Sequence, residues 1–144
     1  MTTQQTRETL NAYAEALLSF GDFARYLSDD VTMVFMGTDR IVKGRDAVRD
    51  TIKFIHEIAF SSAIKVTTVV CGEGEAMLEA EFVGTHIGEF EGVKPALKSV
   101  RVPYSVAYSL ANGKVTALRL YFPMDLLMKQ ITADEPVAVA ASRN

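Results

Sequence analysis

The chain has 144 residues, which fits one domain at the usual roughly 100–150 residues, and its 49 % hydrophobic content can fill a sizeable core. A net charge of −3 with no block of Lys and Arg argues against nucleic-acid and anionic-membrane partners. A single cysteine, Cys71, excludes an intrachain disulfide, and no apolar run nears the roughly 20 residues that span a bilayer. The first nine residues also lack an apolar signal core, so the expected compartment is the cytoplasm.

Residues 4–20 read as an amphipathic helix, because Leu10, Tyr13, Ala14, Leu17 and Phe20 recur on one face. Gly21 follows the last apolar residue, where a left-handed cap suits a residue without Cβ. Asp22 is placed to cap a short turn over 23–27, and Ser28-Asp29-Asp30 to break it. Residues 31–36 read as a strand and Gly37-Thr38-Asp39-Arg40 as a turn. Residues 44–59 read as a second helix, with Ala47, Val48, Thr51, Ile52, Ile55 and Ala59 as its buried stripe and Asp46 facing the first-turn amides. His56 lies beside that stripe and reads as an exposed or half-exposed helix histidine.

From Ile64 the hydrophobic period changes to two. Residues 64–71, 76–88, 98–110 and 114–122 read as four successive strands, and Gly72-Glu73-Gly74 and Ala111-Asn112-Gly113 as hairpin turns. Cys71, ending the first of these strands, reads as a packed thiol rather than a nucleophile. In the second strand Ala76, Leu78, Ala80, Phe82, Gly84 and His86 share a face, opposite Glu75, Glu79, Glu81 and Thr85. In the third, Val100, Val102, Tyr104, Val106 and Tyr108 form the apolar row. Two helices, then antiparallel strands and one closing helix make an α+β pattern in one domain over 1–131, with 132–144 expected to be a flexible tail.

Two histidines far apart without a cysteine partner give no metal signature, Gly72-x-Gly74 is a turn rather than a nucleotide loop, and no nucleophile-elbow pattern is present. No metal and no cofactor are therefore expected. What remains is an acid/base pocket. His86, inward among apolar neighbours, is either a tuned acid/base or a ring hydrogen-bonded within the core. Asp125 is either a buried base or an anion facing helix amides. Tyr13, Phe35, Phe54, Tyr104, Tyr108 and Tyr121 are the candidate ligand-binding residues.

The chain resembles the SnoaL-like polyketide cyclases of the nuclear transport factor 2-like superfamily. The resemblance rests on Gly84-Thr85-His86-x-Gly88-x-Phe90-x-Gly92, Pro95, Val100, Asn112-Gly113-Lys114-Val115, Tyr121-Phe122 and Leu126-Leu127-x-x-Gln130. Lys43-Gly44-Arg45-Asp46-Ala47 and Asp29-Asp30-Val31 extend it, over about residues 10–131. It implies a cone-shaped α+β barrel, a strongly curved and mostly antiparallel sheet wrapped around the N-terminal helices and one deep apolar cavity, and a homodimer formed through the outer sheet face. It also implies a catalytic Asp after a Tyr-aromatic pair, where this chain carries Pro123, so that the role passes to Asp125 one turn on, beside His86. The Thr-Gly that often follows the family's proline is replaced by Ala96-Leu97. Two functions follow. One is a cofactor-independent cyclase or isomerase of polyketide-like carbonyl compounds, with epoxide hydrolysis as a lesser variant. The other is a non-catalytic ligand-binding or dimerisation domain that lost the base.

Overall fold

A computed structural model describes residues 1–133. Helix α1 (Thr3–Leu18) starts at a capping box: the Thr2 hydroxyl accepts the Gln5 amide at 3.1 Å, and the Gln5 side chain accepts the Thr2 amide at 2.9 Å. Its end differs from expectation by one position. Phe20, not Gly21, takes the left-handed conformation (φ 58°), while the Gly21 amide donates to the Ala16 carbonyl at 2.7 Å. The glycine thus serves one place beyond the left-handed residue of a Schellman-type ending. A 3-10 turn (Phe23–Tyr26) follows, but the Asp22 side chain makes no capping bond to it.

Strand β1 (Leu27–Phe35) begins earlier than its composition implies. Leu27 is fully buried and pairs with Val115, so tertiary pairing carries Ser28-Asp29-Asp30 into the strand across an irregular register. The three-residue β2 (Ile41–Lys43), unrecognised in the sequence because it is too short for a period, pairs antiparallel with β1. The second helix is also shorter than its stripe: α2 (Arg45–Lys53) widens into a π-helical turn (Phe54–Ala59). Residues 60–63, expected between elements, already belong to β3 (Phe60–Cys71). β4 (Glu75–His86), β5 (Ser99–Ala111) and β6 (Lys114–Tyr121) follow close to their expected limits, and α3 (Met124–Thr132) closes the domain. The helix therefore reaches into the segment expected to be a tail, and residues 134–144 lie outside the described residues.

The six strands form one mixed sheet in the order β2-β1-β6-β5-β4-β3. Among the described residues only β1 and β6 pair in parallel, and the β3-to-β6 run is antiparallel as expected. The inward row of β4 is buried, from Ala76 through Leu78, Ala80 and Phe82 to His86. The β4 end also fits closely against the chain before it. A Cβ on Gly84 would lie 2.4 Å from the Ser61 carbonyl oxygen, and one on Gly88 2.3 Å from that of Ile58, so both need glycine. Two apolar clusters result. One joins α1 and α2 to β1 and the middle of the sheet through Leu10, Val31, Val48 and Leu118. The other joins α3 to the β4–β5 end through Phe60, Phe82, Val102 and Leu127. Among the described residues no helix is long and apolar enough to cross a membrane.

Candidate functional site

Where the two clusters meet, the side chains leave an internal cavity of about 70 Å³. At roughly 10–15 Å³ per water it holds several waters or one end of a small organic molecule. Its walls are apolar side chains such as Met33, Phe35, Phe82, Phe90 and Phe122, interrupted only by Tyr13, His56, Tyr104 and Tyr108. A more open outer chamber of about 270 Å³ shares Phe35, Ile55, Phe90 and Met124 with it and adds Arg40, Asp50 and Glu91.

The three tyrosines come from different elements. Tyr13 lies on the inner face of α1, and Tyr104 and Tyr108 on the inner row of β5. Tyr13 and Tyr108 meet edge to face with ring centroids 6.1 Å apart. Burial raises the pKa of all three above the usual phenol range. Tyr104 raises that of Tyr13 further, and Tyr13 and Tyr104 that of Tyr108. They remain phenols, and therefore hydrogen-bond donors, throughout the range in which proteins fold.

His56 lies on the π-helical turn, a local widening that often accompanies functional sites, and lines the cavity. Its Nδ1 lies 2.9 Å from the Ser62 hydroxyl oxygen, which is 3.3 Å from the His56 carbonyl. The hydroxyl has one proton. Donated to the carbonyl, it leaves the oxygen to accept Nδ1–H, which makes Nε2 the unprotonated nitrogen. The ring tilts against Phe82 at 5.7 Å, and burial pushes its pKa down to about 4. The imidazole is therefore neutral at pH 7.

Of the residues singled out from the sequence, Tyr13, Phe35, Tyr104 and Tyr108 line the cavity. Phe54 lines the outer chamber instead, and Tyr121 turns outward, 46 % exposed. The geometry does not bring His86 and Asp125 together there, since neither lines the cavity. His86 is fully buried farther along β4, its ring 5.3 Å from that of Phe60. Its Nδ1 accepts the Ala96 amide at 3.2 Å, and its Nε2 has no partner among the described residues. Asp125 is exposed on the first turn of α3. Pro123 stands between Phe122 and Met124, which both line the cavity, so the position matching the family's Asp lies at the cavity's edge. His56 was legible only as the i+4 neighbour of Ile52 on a buried helix face, a spacing that its charged neighbours Lys53 and Glu57 obscured.

A curved mixed sheet packed with helices around one apolar cavity defines the nuclear transport factor 2-like class of fold. Within that class the chain belongs to the SnoaL-like polyketide cyclase family, whose model matches residues 7–131. Solved structures of similar fold include one assigned as a SnoaL-like polyketide cyclase from Jannaschia sp. CCS1, with TM-score 0.83 and 22 % identity over 92 % of this chain and 95 % of that one. Another, assigned as a polyketide cyclase from Silicibacter sp. TM1040, has TM-score 0.80 and 19 % identity over 92 % and 99 %. An epoxide hydrolase of the limonene-epoxide-hydrolase-like type from M. tuberculosis has TM-score 0.69 and 15 % identity over 88 % and 89 %. No curated protein matches the chain.

Proposed function

We propose that the cavity binds a small, mostly apolar carbonyl compound of polyketide-like character and catalyses a proton transfer on it without a cofactor, as a cyclase or isomerase does. The observation that carries this reading is a neutral imidazole, its Nε2 without a hydrogen bond among the described residues, in an apolar cavity whose other polar side chains among those residues are three phenols. A carbonyl oxygen set among Tyr13, Tyr104 and Tyr108 receives hydrogen bonds that strengthen as enolate charge develops, where exclusion of water makes them count most. Nε2 of His56 takes the proton from the adjacent carbon. The imidazolium so formed pairs with the enolate, which raises the proton affinity of an otherwise weak base at the moment of transfer. Proton return to another carbon gives isomerisation, and attack of the enolate on a second carbonyl gives ring closure.

The test is turnover of polyketide-like esters, enones and epoxides by wild type, His56→Gln and Tyr104→Phe, with binding measured in parallel by calorimetry. Loss of rate in the variants with retained binding supports catalysis. Binding by wild type without turnover of any compound favours a non-catalytic ligand-binding domain. That second reading has its own support: the family's acid/base position is Pro123, and among the described residues no carboxylate lines the cavity.

The proposed assembly is a homodimer through the outer sheet face, where the paired Val70 and Met77 are exposed on the same face as the mixed polar row of Thr85, Ser99, Arg101 and Ser105. Sedimentation at micromolar concentration tests it, and a 15.8 kDa species alone overturns it.

A further inference from the structure

We propose that the outer chamber is the recognition site for a carboxylate on the ligand, with Arg40 as the residue that selects it. This deepens the cavity reading above and rests on it. The ligand class becomes an elongated amphipathic monocarboxylic acid, its apolar end in the inner cavity and its anion at Arg40.

Three features carry the inference. The two chambers adjoin and share Phe35, Ile55, Phe90 and Met124 as walls, so a molecule too long for the inner cavity reaches the outer one by displacing these side chains. Arg40 sits at that junction: its guanidinium carbon lies 4.9 Å from the ring centroid of Phe35, a wall of both chambers. Its backbone is tied on both sides, the amide donating to the Thr38 hydroxyl at 3.1 Å and the carbonyl accepting the Phe35 amide at 3.1 Å. Arg40 thus presents a cation in the outer chamber, against a wall that the apolar cavity shares.

The guanidinium is also under-used. It meets Glu91 through Nη1 alone, at 3.2 Å, while its planar fork is shaped for two parallel bonds to one carboxylate. Both side chains are about half exposed (53 % and 46 %), and an ion pair of that kind contributes little. Glu91 rides on a tight turn closed by the Phe90 and Val93 amides, with φ of 47° at Glu91 and 79° at Gly92. It stands as a placeholder anion that a ligand carboxylate displaces. The chamber's other carboxylate, Asp50, is answered by Nε of Arg49 at 3.0 Å and leaves Arg40 uncontested.

The probes are 4-phenylbutanoate and its methyl ester, titrated by calorimetry at pH 7 into wild type, Arg40→Gln and Glu91→Gln. The ester reports the apolar cavity, and the ratio of acid to ester reports Arg40. The expected result is acid binding about tenfold tighter than ester in wild type, the scale of a charge-assisted bidentate contact. Arg40→Gln abolishes that preference and leaves ester affinity within about twofold, while Glu91→Gln, by removing the competitor, tightens the acid several-fold. Equal binding of acid and ester by wild type, a preference that survives Arg40→Gln, or weaker acid binding in Glu91→Gln each overturns the proposal while the cavity reading stands on the ester. Failure of both probes to bind overturns the two together.

Discussion

His56 and His86 are the chain's two histidines, and both sit against the ring cluster of Phe60 and Phe82. His56, on the π-helical turn, spends Nδ1 on Ser62 and borders an open cavity. His86, at the end of β4, is sealed from solvent and spends Nδ1 on the Ala96 amide, in the loop that carries Phe90 and Glu91. Position on an apolar row is thus no guide to which imidazole borders the cavity. Access to an unfilled space separates the two roles, and that depends on how neighbouring elements fail to close. In the proposed mechanism His56 serves the chemistry, while His86 bonds the loop that walls the cavity.

The sharpest way to break this contrast is turnover. His56→Gln should lower kcat by about 10²–10⁴-fold, the usual worth of a general base, with ligand affinity nearly unchanged. A comparable loss in His86→Gln but not in His56→Gln would reverse the assignment.

The pH dependence of folding separates them next. His56 has a folded pKa of about 4, below its ordinary 6.5. Between those values the unfolded chain binds the extra proton, so stability is at its full level above about pH 6.5 and falls as pH drops towards 4. The loss should reach at most about 3 kcal/mol, from about 1.4 kcal/mol per pKa unit. Urea unfolding of wild type and His56→Gln at pH 7 and pH 4 checks it: the two stability curves should converge on acidification, and parallel curves contradict it.

His86→Leu should cost about 1–3 kcal/mol at pH 7, because the Ala96 amide loses its acceptor and the loop its anchor. A denaturation midpoint measures this, and an unchanged midpoint removes the anchoring role. The smallest effect belongs to Asp125→Asn, an exposed side chain off the cavity. Stability should change by about 0.5 kcal/mol or less and turnover by less than about twofold. A larger loss of turnover would return Asp125 to the mechanism.

The alternation along β4 and β5 was legible because each pleat sends successive side chains to opposite faces, so Phe82, Tyr104 and Tyr108 could be assigned inward from spacing alone. The helical spacing of α1 likewise turned Tyr13 inward. Residues 84–130 carried most of the family resemblance, with Asp29-Asp30-Val31 and residues 43–47 extending it, since turn glycines and hairpin signals are local chemistry. Less legible were the elements set by distant partners. Leu27 joins β1 because Val115 pairs with it, and Ile41 to Lys43 form a strand because β1 offers an edge.

The amino-acid order alone, then, determined the α+β class, the inner faces and three of the phenols that meet in the cavity. Only the tertiary structure decided that α2 widens at Phe54, where Gly84 and Gly88 let the chain press against β3 and the π-helical turn. It alone placed His56 at the cavity and left His86 in the core. The physical reason is range. Periodicity records which side of an element faces inward, whereas a cavity exists where several inward faces stop short of one another, which no single element encodes.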